Sequence, residues 1–184
     1  QGDMGNSWRT GRPLTQEILT AMPFTLELAL LSTLLALLVG VPLGIVSAVY
    51  RNGVFDFVSR IVAILGLSFP LYWLAIMLIL ISSSWFNWLP PIRFVTLVQN
   101  PWQNLQQMLM PLISLALTFM PIIMRMTRSS MLEVLGQDYV RTARAKGLIE
   151  QTVLYRHCLR NALIPVVAVV AMQIGYLLGG TVIV

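Results

Sequence analysis

The chain has 184 residues, 57% of them hydrophobic and only 10% charged, and its mean hydropathy of +0.79 exceeds what a water-soluble domain of this size needs to bury one core. Its net charge of +5 does not point to nucleic acid, because that reading needs the cations on one face of a water-exposed domain, and here they fall between apolar runs. Cys158 is the single cysteine, which excludes an internal disulfide; a buried small side chain and a reactive thiol among basic neighbours both fit it.

A helix rises about 1.5 Å per residue, so about 20 apolar residues are needed to cross a hydrocarbon core roughly 30 Å thick. Four stretches meet this. Phe24 to Tyr50 holds one charge, Glu27, near its start, and Ile61 to Phe86 holds none. Leu105 to Met124 is uncharged but carries Pro111 and Pro121, and Leu163 to Val184 is uncharged with Pro165 near its start. The expected class is all-α, a polytopic transmembrane bundle with four to five visible helices. Prolines at 42, 70, 111, 121 and 165 predict bends, tolerated where neighbouring helices satisfy the freed carbonyls. The first residue is Gln1 and the sequence stops inside the apolar run "GYLLGGTVIV", so we expect a piece of a longer membrane protein.

Nine cations, Arg51, Arg60, Arg125, Arg128, Arg141, Arg144, Lys146, Arg156 and Arg160, fall on one side of these spans; three, Arg9, Arg12 and Arg93, fall on the other. The positive-inside rule makes the basic side cytoplasmic. Residues 1–23 and the Trp-rich loop around Trp85 to Gln107 are then external, with the indoles suited to headgroup anchoring. Gly40 and Gly44 lie one helical turn apart in "GVPLG", and Gly175, Gly179 and Gly180 repeat the device, which predicts close helix packing at both places.

Between the third and fourth spans the chain stays polar for nearly forty residues, too long for a minimal connection. In "DYVRTARAKGL" the residues Tyr139, Val140, Ala143 and Gly147 share one arc of a helix, while Asp138 and Arg141 lie off it. Asp138 suits the positive end of that helix and Gly147 is a natural stop. The pattern fits a helix lying on anionic lipid and equally one that plugs into a protein partner.

The wording separates these two. "DYVRTARAKGL" followed by "RHCLRNALIPVV" resembles the cytoplasmic coupling loop of bacterial ABC importer permeases, in the version of the dipeptide, oligopeptide and nickel subfamily. "GDMGNS", "PFTLELALL", "GVPLGIVSAVYRNGVFD", "LGLSFPLYWLAIMLIL", "MPLISLALTFMPIIMRMTRSSMLEVL" and "IGYLLGGTVIV" follow in that family's order across essentially all 184 residues. Two departures from the general importer motif stand out. Where it opens Glu-Ala-Ala with a glycine after three residues, this sequence has Arg141, Thr142, Ala143 and Gly147; and the closing "ALIP" puts Pro165 eighteen residues beyond Gly147.

The resemblance implies a type I importer transmembrane domain over residues 1–184, with a coupling loop at 127–162 and a first helix and a chain end lying outside this sequence. It implies two cytoplasmic ATPase subunits that bind ATP and Mg, a second homologous permease, and an extracytoplasmic substrate-binding protein in the bacterial inner membrane. No cofactor is implied for this subunit, and no Gly-rich segment ending in Gly-Lys-Ser/Thr is present. Asp138, Tyr139, Val140, Arg141, Thr142, Ala143, Arg144, Ala145, Lys146 and Gly147 are the ATPase-coupling candidates: Tyr139, Val140 and Ala143 for the apolar contact, Arg141, Arg144 and Lys146 for its rim or for lipid headgroups. The cargo is left open among dipeptides, longer peptides, glutathione and nickel or other metal complexes.

For the translocation path the residues offer Glu27, Ser68 and Gln173. Glu27 is the only ionisable group in a predicted span, and an intramembrane carboxylate is costly enough to suggest function, although its place near the external end equally fits a bond to a neighbouring helix. Ser68 and Gln173 fit pore lining and interhelical hydrogen bonding alike. A membrane-embedded hydrolase would want paired histidines or a serine with a histidine base, and His157, the one histidine, sits among arginines. An ion-coupled carrier would want ionisable groups at mid-membrane, where these spans have none.

Overall fold

A computed structural model describes residues 4–8, 10–91 and 95–180. Arg9, Arg93 and residues 181–184, which the sequence reading uses, lie outside the described residues. Within them the chain forms α1 (Leu14–Val49), α2 (Val54–Ser68), α3 (Leu71–Phe86), α4 (Pro101–Leu135), α5 (Asp138–Ala145), α6 (Glu150–Thr152), a π-helical stretch (Val153–Leu159) and α7 (Arg160–Gly180). One isolated antiparallel bridge, Asn6 to Pro13, closes the segment before α1.

Among the described residues three helical stretches are long and apolar enough to cross a membrane: α1, α4 and the run from α6 into α7. The expected second span is different. It is broken into α2 and α3, which meet at 100°. The cause is local: proline disfavours the helical region for the residue before it, and Phe69 is extended (φ −93°, ψ 130°) with Pro70 capping α3. Phe69 stacks on Trp73 across the corner, ring centroids 4.5 Å apart and planes 12° apart. Pro42, Pro111, Pro121 and Pro165, for which bends were also expected, lie inside continuous helices.

The first and third spans are longer than expected. α1 already begins at Leu14, within the predicted external segment, and α4 runs 35 residues, about 52 Å at the standard helical rise. The last turns of α4 therefore occupy residues 127–135 of the predicted cytoplasmic loop. α4 starts cleanly because Asn100 Oδ1 accepts a hydrogen bond from the Gln103 amide (3.2 Å) and Pro101 sits at N1, where its missing donor costs nothing.

The core lies where α1 packs along α4, with α7 closing one side: Leu28, Ala29 and Ala36 meet Leu112, Leu115, Ala116, Phe119 and Ile123, with Val166 and Leu177 from α7. On α1 the buried positions other than Leu28, namely Ala29, Ser32, Thr33, Ala36, Gly40, Gly44, Ser47 and Ala48, lie along one face and are all small, which lets the backbones close up. The expectation for Gly40 and Gly44 is met. A Cβ on Gly44 would stand 2.7 Å from the Met124 carbonyl oxygen and 2.7 Å from Thr127 Cβ; one on Gly40 would stand 3.0 Å from the Met120 carbonyl oxygen. Gly175 and Gly179, by contrast, face open space and do not pack within this chain. Gly44→Leu should therefore cost about 1–3 kcal/mol of stability, read as a lower unfolding midpoint of the solubilised protein, whereas Gly179→Leu should leave the midpoint unchanged.

Candidate functional site

The end of the bundle that gathers most of the cations carries two polar constructions, and the first is the short helix α5. Its stop is a Schellman turn: Gly147 adopts φ +78°, its amide donates to the Arg144 carbonyl (2.9 Å), and the Leu148 amide donates to the Ala143 carbonyl (3.4 Å). A left-handed position of this kind is cheap only for glycine, so the sequence expectation of a stop at Gly147 is met.

The face that α5 turns inward corrects the sequence reading. Val140 is 0% and Ala143 6% exposed, packed with Met131 of α4, Ala48 of α1, and Val153, Cys158 and Ala162 of the following segment. An apolar arc finds the nearest apolar surface, and here that surface belongs to the chain itself. Val140 and Ala143 thus anchor α5 and are not presented outward. Asp138, Tyr139, Arg141, Thr142, Arg144, Ala145, Lys146 and Gly147 are exposed. Leu148 and Ile149, just past the stop, add exposed apolar surface at 41% and 74%; the sequence reading missed them because it ended the segment at Gly147.

Arg144 is engaged within the chain as well. Its Nη2 and Nε donate to Glu150 Oε1 (2.6 Å) and Oε2 (3.1 Å), and the hydrogen-bonded carboxylate raises the guanidinium's pKa above its ordinary value. Arg141 keeps only a 3.7 Å contact with Asp138, both well exposed, and such a pair is weak. The Tyr139 hydroxyl accepts from Asn161 Nδ2 (3.0 Å), whose amide also donates to the His157 carbonyl. Through these contacts α5 is tied to α4 on one side and to the π-helical stretch and α7 on the other. Cys158 is buried in this packing.

The second construction is a buried ion pair that sequence reasoning did not single out. Asp56, in the first turn of α2, is 0% exposed. Its Oδ1 accepts from Arg128 Nε (2.6 Å) and Ser47 Oγ (2.7 Å), and its Oδ2 from Arg128 Nη2 (2.9 Å) and the Asn52 amide (3.0 Å); Arg60 Nη2 stands 3.7 Å away. Asn52 reaches it from a left-handed conformation, φ 64°, which asparagine tolerates better than most residues. The carboxylate thereby joins α1, the α1–α2 turn and α4 at one point. A planar guanidinium meeting a carboxylate through two parallel bonds is the strong, orienting form of such a pair. The available signal was "YRNGVFD", a turn followed by a lone acid in a basic stretch.

The translocation-path candidates are dispersed. Glu27 Oε2 accepts from Asn104 Nδ2 (3.3 Å), and Asn104 also donates to the Val95 carbonyl (3.1 Å), while the Val95 amide donates to Gln107 Oε1 (3.0 Å). This places Glu27 in a polar knot between α1, α4 and the loop before α4, with its other oxygen, Oε1, buried and without a hydrogen bond. Ser68 Oγ donates to the Ile64 carbonyl of its own helix (2.8 Å) and is exposed. Gln173 lies half-buried on α7. No hydrogen bond among the described residues links these three to one another. Nor do the described residues contain a group of three or more His, Cys, Asp or Glu side chains arranged to hold a metal.

Residues 40–184 match the family of binding-protein-dependent transport system inner membrane components, a stretch that includes the bent α2–α3 pair, the Asp56–Arg128 tie and α5. The chain belongs to this family. As such an inner membrane component it is a multi-pass inner-membrane protein. It is 41% identical, over 98% of its length and 60% of the relative's, to the dipeptide transport system permease protein DppB of Alkalihalophilus pseudofirmus. It is 42% identical, over 100% of its length and 58% of the relative's, to the glutathione transport system permease protein GsiC of Pectobacterium atrosepticum. A putative peptide transport system permease protein of Brucella suis is 39% identical over 99% of the chain and 58% of the relative. The inner membrane component described here thus spans about 60% of the length of the curated relatives it matches.

Proposed function

We propose that this chain forms part of the permease subunit of an ATP-driven, binding-protein-dependent importer, and that it contributes to the passage for peptides or glutathione. The observation that carries the reading is α5: a short helix closed by a Schellman turn, held on the bundle by Val140 and Ala143, with a polar outer face available to a partner. A docked helix with its own core transmits displacement to α4 and α7 as a semi-rigid body, which is what coupling to a closing ATPase dimer requires. On this reading two cytoplasmic ATPase subunits bind ATP and Mg, a second homologous permease completes the passage, and an extracytoplasmic binding protein delivers cargo. The subunit itself carries out no chemistry. Tyr139, Arg141, Lys146, Leu148 and Ile149 make up the ATPase contact. The relatives' names favour peptide and glutathione cargo and give nickel no particular support.

Vesicles containing the full-length permease, its ATPases and its binding protein should take up di- or oligopeptides or glutathione only when ATP is present inside. Uptake driven by an ion gradient without ATPases would refute the reading. Within the passage, Glu27 is assigned to the cargo's cationic end, which it meets by turning its carboxylate away from Asn104, since Oε1 is covered in the resting arrangement. Glu27→Gln should then lower uptake roughly tenfold, the loss expected for one charge-assisted hydrogen bond, with the unfolding midpoint little changed. An unaltered rate across all substrates would leave Glu27 as a tie to Asn104 only.

A further inference from the structure

Beside the Asp56–Arg128 tie a cleft of about 260 Å³ opens between α2 and α4. Arg60, Arg125 and Arg128 surround it, Ser59 adds a hydroxyl, and Ala63, Ile64 and Met124 make an apolar floor. Of the three guanidiniums, Arg128 is bound to Asp56 through two hydrogen bonds. Arg60 is half exposed and only 3.7 Å from the same carboxylate, and Arg125 is exposed with no ion pair or hydrogen bond among the described residues. Three cations thus line one cleft, and the carboxylate beside it is already engaged by Arg128. The site has an excess of positive charge and unmet donors.

The location supplies the ligand's chemistry. By the distribution of cations this is the cytoplasmic end of the spans, where the leaflet carries anionic lipid and attracts basic groups by about 1 kcal/mol per Lys or Arg. Beyond the rim α2 turns Ile61, Val62 and Leu65 outward, 39–50% exposed, so apolar surface continues from the cleft along the helix. A free phosphate would use the cations but not that surface; a phospholipid uses both. We propose that this cleft holds the phosphate headgroup of an anionic phospholipid of the cytoplasmic leaflet, with Arg60 and Arg125 on the phosphate and an acyl chain along Ala63, Ile64 and Leu65. The assignment does not depend on the ATPase-docking role of α5.

Native mass spectrometry of the full-length permease in its assembled transporter, taken from membranes of mixed phosphatidylglycerol, cardiolipin and phosphatidylcholine, tests this. Anionic lipid should be retained over phosphatidylcholine, and the Arg60→Gln/Arg125→Gln variant should retain it roughly thirtyfold less, in line with removal of two surface cations. Ser59→Leu, which fills the cleft without changing its charge, should also lower retention. Equal retention of zwitterionic and anionic lipid, or retention unchanged in both variants, overturns the proposal. Displacement of the lipid by millimolar inorganic phosphate would assign the cleft to free phosphate instead. Shielding of Ser59→Cys from a thiol reagent by the ATPase subunits, with lipid having no effect, would assign it to a protein partner.

Discussion

Arg128→Ala should be among the most damaging single substitutions in the chain, lowering stability by about 3–5 kcal/mol, because it strands a fully buried carboxylate. Asp56 would keep only Ser47, the Asn52 amide and the distant Arg60 as partners, and these do not replace a guanidinium bonded through two nitrogens. The unfolding midpoint of the solubilised full-length protein should drop steeply, with a matching fall in the amount recovered from membranes. Removing both charges has the opposite logic: Asp56→Leu/Arg128→Met buries no charge and should restore most of the loss, since apolar replacements for buried pairs are often neutral or better. If the double variant were as unstable as the single one, the tie would owe its importance to shape and not to charge.

Ala143→Arg should uncouple ATP hydrolysis from uptake, through the inward face of α5 and not through a direct clash with a partner. Ala143 is 6% exposed against Met131, Val153, Cys158 and Ala162, so an arginine there must expel α5 from its seat or bury a charge, either of which costs several kcal/mol. The expected phenotype is protein still present in the membrane, ATPase activity in the assembled complex retained or raised, and uptake reduced at least tenfold. Lys146→Glu, on the exposed side, should leave α5 in place and change uptake only through its surface charge. Equal defects from both substitutions, with protease sensitivity of the 138–149 segment unchanged, would mean that Ala143 is felt by a partner directly.

Much of this architecture is legible in the amino-acid sequence. Long apolar runs dictated helices, and the Gly40/Gly44 spacing marked the seam where α1 meets α4, because one turn of helix brings i and i+4 to the same face. Gly147 marked the end of α5 because few other residues accept its backbone conformation. What sequence periodicity could not supply was direction. An apolar arc of Tyr139, Val140 and Ala143 says that one face is buried, not whether the covering surface is the chain's own or a partner's, and here Val140 and Ala143 face inward while Tyr139 stays partly exposed. The bend at Pro70 was expected from the proline itself, but not its size: hydropathy counts residues along the chain and is blind to a 100° corner made by two dihedral angles. The Asp56–Arg128 tie joins residues 72 positions apart, and no local pattern reports such a pairing.

Site-specific photo-crosslinking on the outer face of α5, in the full-length permease assembled with its ATPase subunits, tests the central claim most directly. A benzophenone side chain at Arg141 or at Lys146 should give an adduct with the ATPase, whose yield changes when ATP binds, while the same probe at Gly179 gives none. Absence of any ATPase adduct from both outward positions in an assembled, ATP-hydrolysing complex would contradict the claim that α5 is where the driving subunit seats.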